Sequence, residues 1–212
     1  MSDSPVKPGK RSLAPLWTMV AVFAAPVIAA WFFYLNPEYL PAGRTNKGEL
    51  ISPVLPLTSD VALFSPDGSE LDRSGLTGKW TLVYVAGGEC TDACLDRLIA
   101  IRQVRLALGE SRLGVGRMLI LTDPVAADLA SSLEHKFDGM QVALTDASGR
   151  ERLLDLLGEG AAALDRIYIL DPMGNLMMRY GPAAPAKDTL KDMERLLKAS
   201  KNWIKGAQYG HE

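Results

Sequence analysis

The chain of 212 residues has an ordinary globular composition, with 48% hydrophobic and 23% charged residues and a formal net charge of -2. This nearly neutral charge, without a basic stripe, argues against a nucleic-acid-binding protein. The two cysteines are too few for the multi-bridge scaffold of a small secreted domain, so a packed hydrophobic core must supply most of the stability. The length allows one ordinary domain plus a smaller segment.

An apolar segment near the N-terminus predicts one membrane-spanning helix. Residues 13–35 contain no charged side chain, and about 20 such residues cross a bilayer core of ~30 Å. A cleaved signal peptide is the alternative, but its apolar core is shorter, about 7 to 15 residues, and is followed by small residues. Here bulky aromatic residues occupy positions 31–34 instead. We therefore expect an uncleaved anchor.

The charges around this segment predict its orientation. Two lysines and an arginine precede it, so the positive-inside tendency places residues 1–12 in the cytoplasm. The rest of the chain is then expected on the periplasmic side of the inner membrane, where disulfides form and persist. Residues 36–56 are rich in proline, glycine and polar residues, which predicts a linker. A domain at residues 57–205 and a short tail at 206–212 complete the predicted organisation.

Segments of the predicted domain alternate between strand-like and helix-like patterns, which favours an α/β fold. The strand-like patterns lie at 61–72 (a hairpin around Pro-Asp-Gly), 79–86, 116–123, 140–146 and 166–181 (a hairpin around Asp-Pro-x-Gly). The helix-like patterns begin at Thr91, at Pro124, near residue 151 and in the C-terminal segment that carries Leu190, Met193, Leu197 and Ile204. This order of elements is typical of a thioredoxin-like domain with an additional N-terminal β-hairpin.

The two cysteines, Cys90 and Cys94, lie where a strand gives way to a helix. The unpaired N–H groups of a first helical turn favour a thiolate, and a spacing of four places helical Cα atoms about 6 Å apart, within the range of a disulfide. A bridge that closes so short a loop stabilises little, so a reactive pair is favoured over a structural bridge or two inert thiols. Glu89, Asp92 and Asp96 add negative charge, which raises thiol pKa values and attracts cations.

The same two sulfurs could bind a soft metal such as Cu(I) or Zn, which then requires a third ligand. The two imidazoles are His135, expected on a helix surface, and His211, expected in the tail. Isolated surface histidines usually have no specific role, so neither is expected to be a ligand. The other soft candidates are Met173, Met177 and Met178, although methionines in a hairpin more often fill a core.

Several motifs of residues 57–200 resemble the Sco/SenC family of membrane-tethered, thioredoxin-like proteins. They are the Pro-Asp-Gly hairpin, LTGKWTLVYV, the Cys-x-x-x-Cys of CTDAC, LILTDP and DRIYILDPMGNLMMRYG. The resemblance implies a metallochaperone or thiol-reducing role in cytochrome c oxidase assembly. It also implies that Cys90 and Cys94 are the paired thiols and copper ligands, and that an oxidase subunit or another assembly factor is the partner.

The chain departs from this family at one expected copper ligand. Family members carry a histidine at the start of the late strand, in an Asp-His context, whereas this chain has Asp165 and Arg166. Arginine stays protonated and cannot coordinate copper. The resemblance implies that Arg166 lies beside the cysteine motif, where its charge would stabilise a Cys90 thiolate and favour thiol–disulfide exchange. A surface ion pair with Asp165 or another acid is the alternative role for Arg166.

Three functions stay open at this point. The first is an oxidase-assembly factor acting through thiol or copper chemistry, with Cys90 as attacking and Cys94 as resolving thiol. The second is a general periplasmic thiol–disulfide oxidoreductase, although the family prolines around the motif and the cis-proline of dedicated oxidoreductases are missing. The third is a non-catalytic assembly module. Neither a Ser/His/Asp grouping nor a glycine-rich phosphate loop is recognisable in the sequence, so nucleotide chemistry is not expected.

Overall fold

The computed structural model describes residues 13–36, 39, 45–57, 60–87, 90–122 and 127–208. It divides into an N-terminal unit, residues 1–45, and a larger unit, residues 46–212. The first unit contains helix α1 (Ala14–Leu35), which coincides with the predicted span and buries none of its residues. By length and composition α1 is able to cross a membrane. Pro26 lies inside it, as membrane helices tolerate.

The larger unit is an α/β domain. Its strands are β1 (Glu49–Pro56), β2 (Trp80–Ala86), β3 (Val115–Leu121), β4 (Gln141–Leu144), β5 (Arg166–Leu170) and β6 (Asn175–Tyr180). Its helices are α2 (Asp92–Ala107), α3 (Ala127–Lys136), α4 (Ala147–Leu157) and α5 (Ala186–Gln208). In the described part of the chain the strands form one six-stranded sheet in the order β1-β6-β5-β2-β3-β4. Strands β2, β3 and β4 are parallel, whereas β5 runs antiparallel to both β2 and β6.

Alternating side chains of the sheet supply two hydrophobic clusters, one on each face. One cluster joins Leu82, Tyr84 and Ala86 of β2 to apolar residues of α2, α3 and α5. The other joins Val83 and Val85 to α4 and to the segment before β2. Strand β2 is therefore covered on both faces, which explains its continuous apolar run and confirms the predicted α/β fold.

Strand β1 occupies the second half of the predicted linker. It pairs with β6 at the edge of the sheet, so the ordered domain begins earlier than residue 57. The sequence analysis did not predict this strand, because the strand contains Pro53 and Pro56 and because most of its side chains are exposed. Prolines are tolerated on an edge strand, where the missing N–H interrupts no ladder.

The two predicted hairpins differ in extent. The second is formed by β5 and β6 around the Asp171–Gly174 turn, with Gly174 at a φ of 88°. The first is reduced to a single bridge between Phe64 and Glu70 across the Pro-Asp-Gly turn. Phe64 also bridges Leu144, so this segment borders β4. Pro124, the predicted start of the third helix, lies outside the described residues.

Helix α4 begins earlier than the predicted segment near residue 151. Its N-cap is Asp146, whose carboxylate accepts a hydrogen bond of 2.7 Å from the Gly149 N–H. The helix ends at Gly158, which has a left-handed φ of 72°. The first turn of α4 has no apolar residues at helical spacing, so the capping residue Asp146 was the only sequence signal for the start of the helix.

Candidate functional site

Cys90 and Cys94 form a disulfide with a Cα–Cα distance of 5.1 Å. Thr91 is the N-cap of α2, so Cys94 lies in the first helical turn while Cys90 precedes the helix. This differs from the predicted placement of Cys90 in the first turn, because Thr91 is extended, with a ψ of 176°, and the helix starts after it. The partial positive charge of the helix N-terminus therefore acts most directly on Cys94.

The two sulfur-bearing residues differ in exposure. Cys94 is 2% exposed and belongs to the core cluster beneath α2, whereas Cys90 is only partly buried and packs at the edge of that cluster. A partly exposed cysteine followed by a buried one is the arrangement that lets an external partner reach the first sulfur and leaves the second to attack from inside. The predicted roles of attacking Cys90 and resolving Cys94 therefore remain compatible with this geometry.

A cleft of about 440 Å³ opens beside Cys94. Its lining residues are Tyr84, Thr91, Ala93, Cys94, Asp96, Arg97, Ala100, Asp165 and Pro182. The Arg97 guanidinium donates a 2.8 Å hydrogen bond to the Ala184 carbonyl, which ties α2 to the segment before α5. The cleft thus combines one disulfide sulfur with two carboxylates and one arginine.

Tyr84 and Asp165 form the wall of the cleft opposite α2. The Tyr84 hydroxyl donates a 3.1 Å hydrogen bond to Asp165 Oδ1. Burial and the Asp165 carboxylate raise the pKa of the Tyr84 phenol, so it stays protonated and able to donate. Asp165 has a φ of 58° and is the one non-glycine residue with a positive φ among those described. Such strain costs about 1 kcal/mol or more and tends to occur at functional sites.

The sequence analysis predicted neither residue of this wall as a site residue, and named Asp165 only as a possible ion-pair partner of Arg166. Tyr84 lies inside an apolar strand. Because a buried tyrosine usually needs a hydrogen-bond partner, its position in that strand was the one sequence signal for this contact. Its partner is 81 residues away and is brought near by the register of β2 against β5, in which Val85 pairs with Arg166. No local pattern shows that register.

The structure brings Arg166 to Glu159 rather than to the cysteines. Its Nη1 lies 3.0 Å from Glu159 Oε2, and Glu159 Oε1 lies 2.7 Å from Nη1 of Arg179. Ile167 shares the core cluster of Cys94, while Tyr168 packs in the cluster on the other face. Since side chains alternate along a strand, Arg166 projects on the face of Tyr168, away from the disulfide. The ion-pair alternative describes its observed contacts.

The described candidates for a third soft ligand are distributed over β6, the β5–β6 turn and α3. Met178 is buried, with its sulfur 3.0 Å from the Tyr180 hydroxyl oxygen, and Met177 packs against the core cluster. Met173 is exposed at the β5–β6 turn. His135 lies in the last turn of α3, and His211 is outside the described residues. Within the described ranges, three or more His, Cys, Asp or Glu side chains nowhere cluster closely enough to hold a metal.

The family model "Transmembrane-like, thioredoxin-like, C-terminal domain" matches residues 80–200, more than half of the chain. The chain belongs to this family. The matched residues of the transmembrane-like, thioredoxin-like family include β2, the cysteine pair and most of α5. No curated protein sequence matches the chain significantly.

Solved structures of Sco proteins share the fold of this family member. Arabidopsis thaliana ScoI with copper bound is 17% identical, with a TM-score of 0.56 over 72% of this chain and 98% of that one. Yeast Sco1 with copper bound is 17% identical, with a TM-score of 0.54 over 71% and 92%. Apo Sco1 from Thermus thermophilus, also 17% identical, has a TM-score of 0.55 over 74% and 98%. The predicted resemblance to Sco/SenC proteins is thus confirmed at the level of the fold.

Proposed function

We propose that this chain is a membrane-anchored, periplasmic thiol–disulfide protein that acts in cytochrome c oxidase assembly, with Cys90 and Cys94 as its reactive pair. The observation that carries the proposal is the disulfide between a partly exposed and a buried cysteine at the N-terminus of α2, beside a cleft. The fold shared with Sco proteins supports the assembly role. The apolar helix α1 supports the anchor.

The proposed organisation retains the predicted cytoplasmic residues 1–12 and the span at 13–35. The proposed linker is shorter than residues 36–56, because β1 pairs with β6 of the domain. The domain then extends from residue 46 to about residue 205.

The proposed reaction reduces a disulfide of the client. The Cys90 thiolate attacks one client sulfur, the client S–S bond breaks, and one client sulfur leaves as a thiolate that takes up a proton. Cys94 then loses its proton and attacks Sγ of Cys90, which releases the second client thiolate. The client gains two electrons and two protons, and this protein ends as the disulfide. A dithiol donor must reduce Cys90 and Cys94 before the next cycle.

The helix N-terminus assists the second half of this reaction. Cys94 is buried, and burial in an apolar environment raises a thiol pKa, whereas the N–H groups of the first turn favour the thiolate. Placing the resolving sulfur at the helix start therefore offsets part of the cost of ionising it inside the core.

Copper carried as cargo is the second candidate. It is favoured by the copper-bound Sco structures with this fold. After reduction, Cys90 and Cys94 supply two thiolates of the kind that Cu(I) prefers. The cleft adds only carboxylates, Asp96 and Asp165, which are hard ligands and suit Cu(I) poorly. The donor set therefore fits thiol exchange better than tight copper binding.

Trapping of mixed disulfides tests the proposed function. In cells that express the full chain, Cys94→Ser should accumulate a covalent complex with an oxidase subunit or an assembly factor, because the resolving sulfur is missing. The matched variant Cys90→Ser should trap far less, since Cys94 is buried. Complexes only with unrelated exported proteins would favour a general oxidoreductase. Trapping by neither variant would favour a non-catalytic module.

Titration of the reduced full chain in detergent with Cu(I), against a competing chelator, separates the two chemistries. Thiol exchange without tight copper binding is the expected result. Stoichiometric binding that survives the competitor, and that Cys90→Ser abolishes, would make copper transfer the function instead.

A further inference from the structure

Arg117 is an unusual residue of the central sheet. It lies in β3 opposite Leu82 of β2 and is only 5% exposed. Its Nη2 donates to the Asp138 carbonyl, but its Nε and Nη1 are buried and have no hydrogen-bond partner in the described structure. A buried guanidinium is costly unless its N–H groups are paired, so this residue requires an explanation.

Two more arginines approach Arg117 from the C-terminal half of α2. Burial lowers the pKa of Arg117, and the positive charges of Arg105 and Arg102 lower it further. Arg105 is held in place because its Nε donates a 2.7 Å hydrogen bond to the Val115 carbonyl. Asp138 supplies an opposing negative charge. Three arginines thus lie near one another, and Asp138 is the acid that acts on the buried member.

We propose that Arg102, Arg105 and Arg117 form a binding site for a phosphate-type oxyanion. A phosphate group carries the charge that offsets the arginine excess, and its oxygens accept from guanidinium groups in paired geometry. Arg102 is exposed. In the proposed complex its side chain reorients and admits the ligand to the unpaired N–H groups of Arg117. The ligand is either free inorganic phosphate or the headgroup of an anionic phospholipid, which share this chemistry.

The site is separate from the disulfide. Cys94 occupies the first turn of α2, while Arg102 and Arg105 lie two to three turns further along it. At 1.5 Å per residue, eleven residues from Cys94 to Arg105 correspond to ~16 Å along the helix axis. The proposed ligand therefore does not take part in thiol chemistry, and the inference stands independently of the proposed function.

Thermal unfolding of the full chain in nanodiscs tests the proposal. In discs of neutral phosphatidylcholine, 50 mM inorganic phosphate is compared with chloride at equal ionic strength. A millimolar dissociation constant predicts a rise in the unfolding midpoint of roughly 5 °C. Discs containing phosphatidylglycerol, without added phosphate, form the second arm. A rise in the first arm identifies free phosphate as the ligand, and a rise only in the second identifies the lipid headgroup.

Variants distinguish the site from general salt effects. Arg117→Met keeps the apolar volume of the buried residue, and Arg102→Gln alters only an exposed side chain; both should remove most of the rise. Arg150→Gln on α4 is the control, since it is an exposed arginine on the other face of the sheet, and it should retain the rise. Equal midpoints in all discs and buffers, or a rise that both arginine variants retain, would overturn the proposal.

Discussion

The Tyr84 hydroxyl donates a 3.1 Å hydrogen bond to Asp165, and both residues line the cleft beside Cys94. The bond joins the central strand β2 to the residue that precedes β5. The Asp165 N–H also donates to the Val85 carbonyl at 2.8 Å, so Asp165 is fixed through both its backbone and its side chain. These two hydrogen bonds hold Asp165, which has a left-handed φ, beside the disulfide.

Substitutions at Asp165 should separate the carboxylate charge from the combined effect of the hydrogen bond and the left-handed backbone. Asp165→Ala should lower the free energy of unfolding by about 2 kcal/mol, because it loses the acceptor for Tyr84 and the tolerance of aspartate for a left-handed φ. Asp165→Asn keeps both properties and should cost less than about 1 kcal/mol. Urea denaturation monitors both variants. Equal losses would show that the carboxylate charge matters more than the backbone conformation.

Arg166→Gln should leave the thiol pKa of Cys90 unchanged, because the guanidinium pairs with Glu159 on the face of Tyr168. The pKa is measured by the pH dependence of alkylation of the reduced protein. Arg179→Gln, which removes the other partner of Glu159, is the matched control. A rise of about one pKa unit in Arg166→Gln alone would restore the hypothesis that its charge activates Cys90.

Local patterns predicted the elements that enclose the site but not the wall opposite α2. The strands β2, β3 and β5 follow from continuous apolar runs, because both faces of a central strand are buried. Strand β1 was missed since an exposed edge strand containing Pro53 leaves no such run. The contacts of Tyr84 with Asp165, and of Arg166 with Glu159, depend on strand register and on the face that each side chain takes. Neither property is encoded in a short window of sequence.

Asp192 should be essential for attaching the start of the domain. It is 2% exposed, and its carboxylate accepts hydrogen bonds from the Lys47 and Gly48 N–H groups and from the Tyr180 hydroxyl. Asp192→Ala leaves these donors without their acceptor and should lower the free energy of unfolding by about 3 kcal/mol. Urea denaturation measures the loss, and limited proteolysis should show faster cleavage near residue 47.

An exposed acid on the same helix provides the control for this prediction. Glu194→Ala should change the free energy of unfolding by less than about 0.5 kcal/mol, as expected of a surface substitution. A similar small change in Asp192→Ala would mean that the bonds to Lys47 and Gly48 contribute nothing net.

The N-cap of α4 should make part of the stability pH-dependent. Hydrogen bonds from Gly149 and Ser148 lower the pKa of Asp146 below its usual value of 3.8. A carboxylate whose pKa is lower in the folded state than in the unfolded state stabilises the folded protein at pH values above its unfolded-state pKa. This stabilisation is lost as the pH falls through the folded-state pKa. Asp146→Ala should therefore destabilise the protein at pH 7 and differ much less from wild type near pH 2.

Urea denaturation at both pH values checks the Asp146 prediction. Asp155→Ala, an exposed acid in the same helix, serves as the control and should show no comparable convergence with wild type. A loss in Asp146→Ala that stays constant from pH 7 to pH 2 would show that the carboxylate charge does not contribute.

The central claim, that Cys90 and Cys94 form a working redox pair, is tested most directly by an equilibrium redox titration of the full chain against glutathione and dithiothreitol buffers. The account predicts a midpoint between about -300 and -120 mV, the range in which thiol-exchange proteins operate. A midpoint well below about -300 mV, together with no alkylation of Cys90 in the presence of physiological dithiols, would identify the bridge as structural and contradict the account.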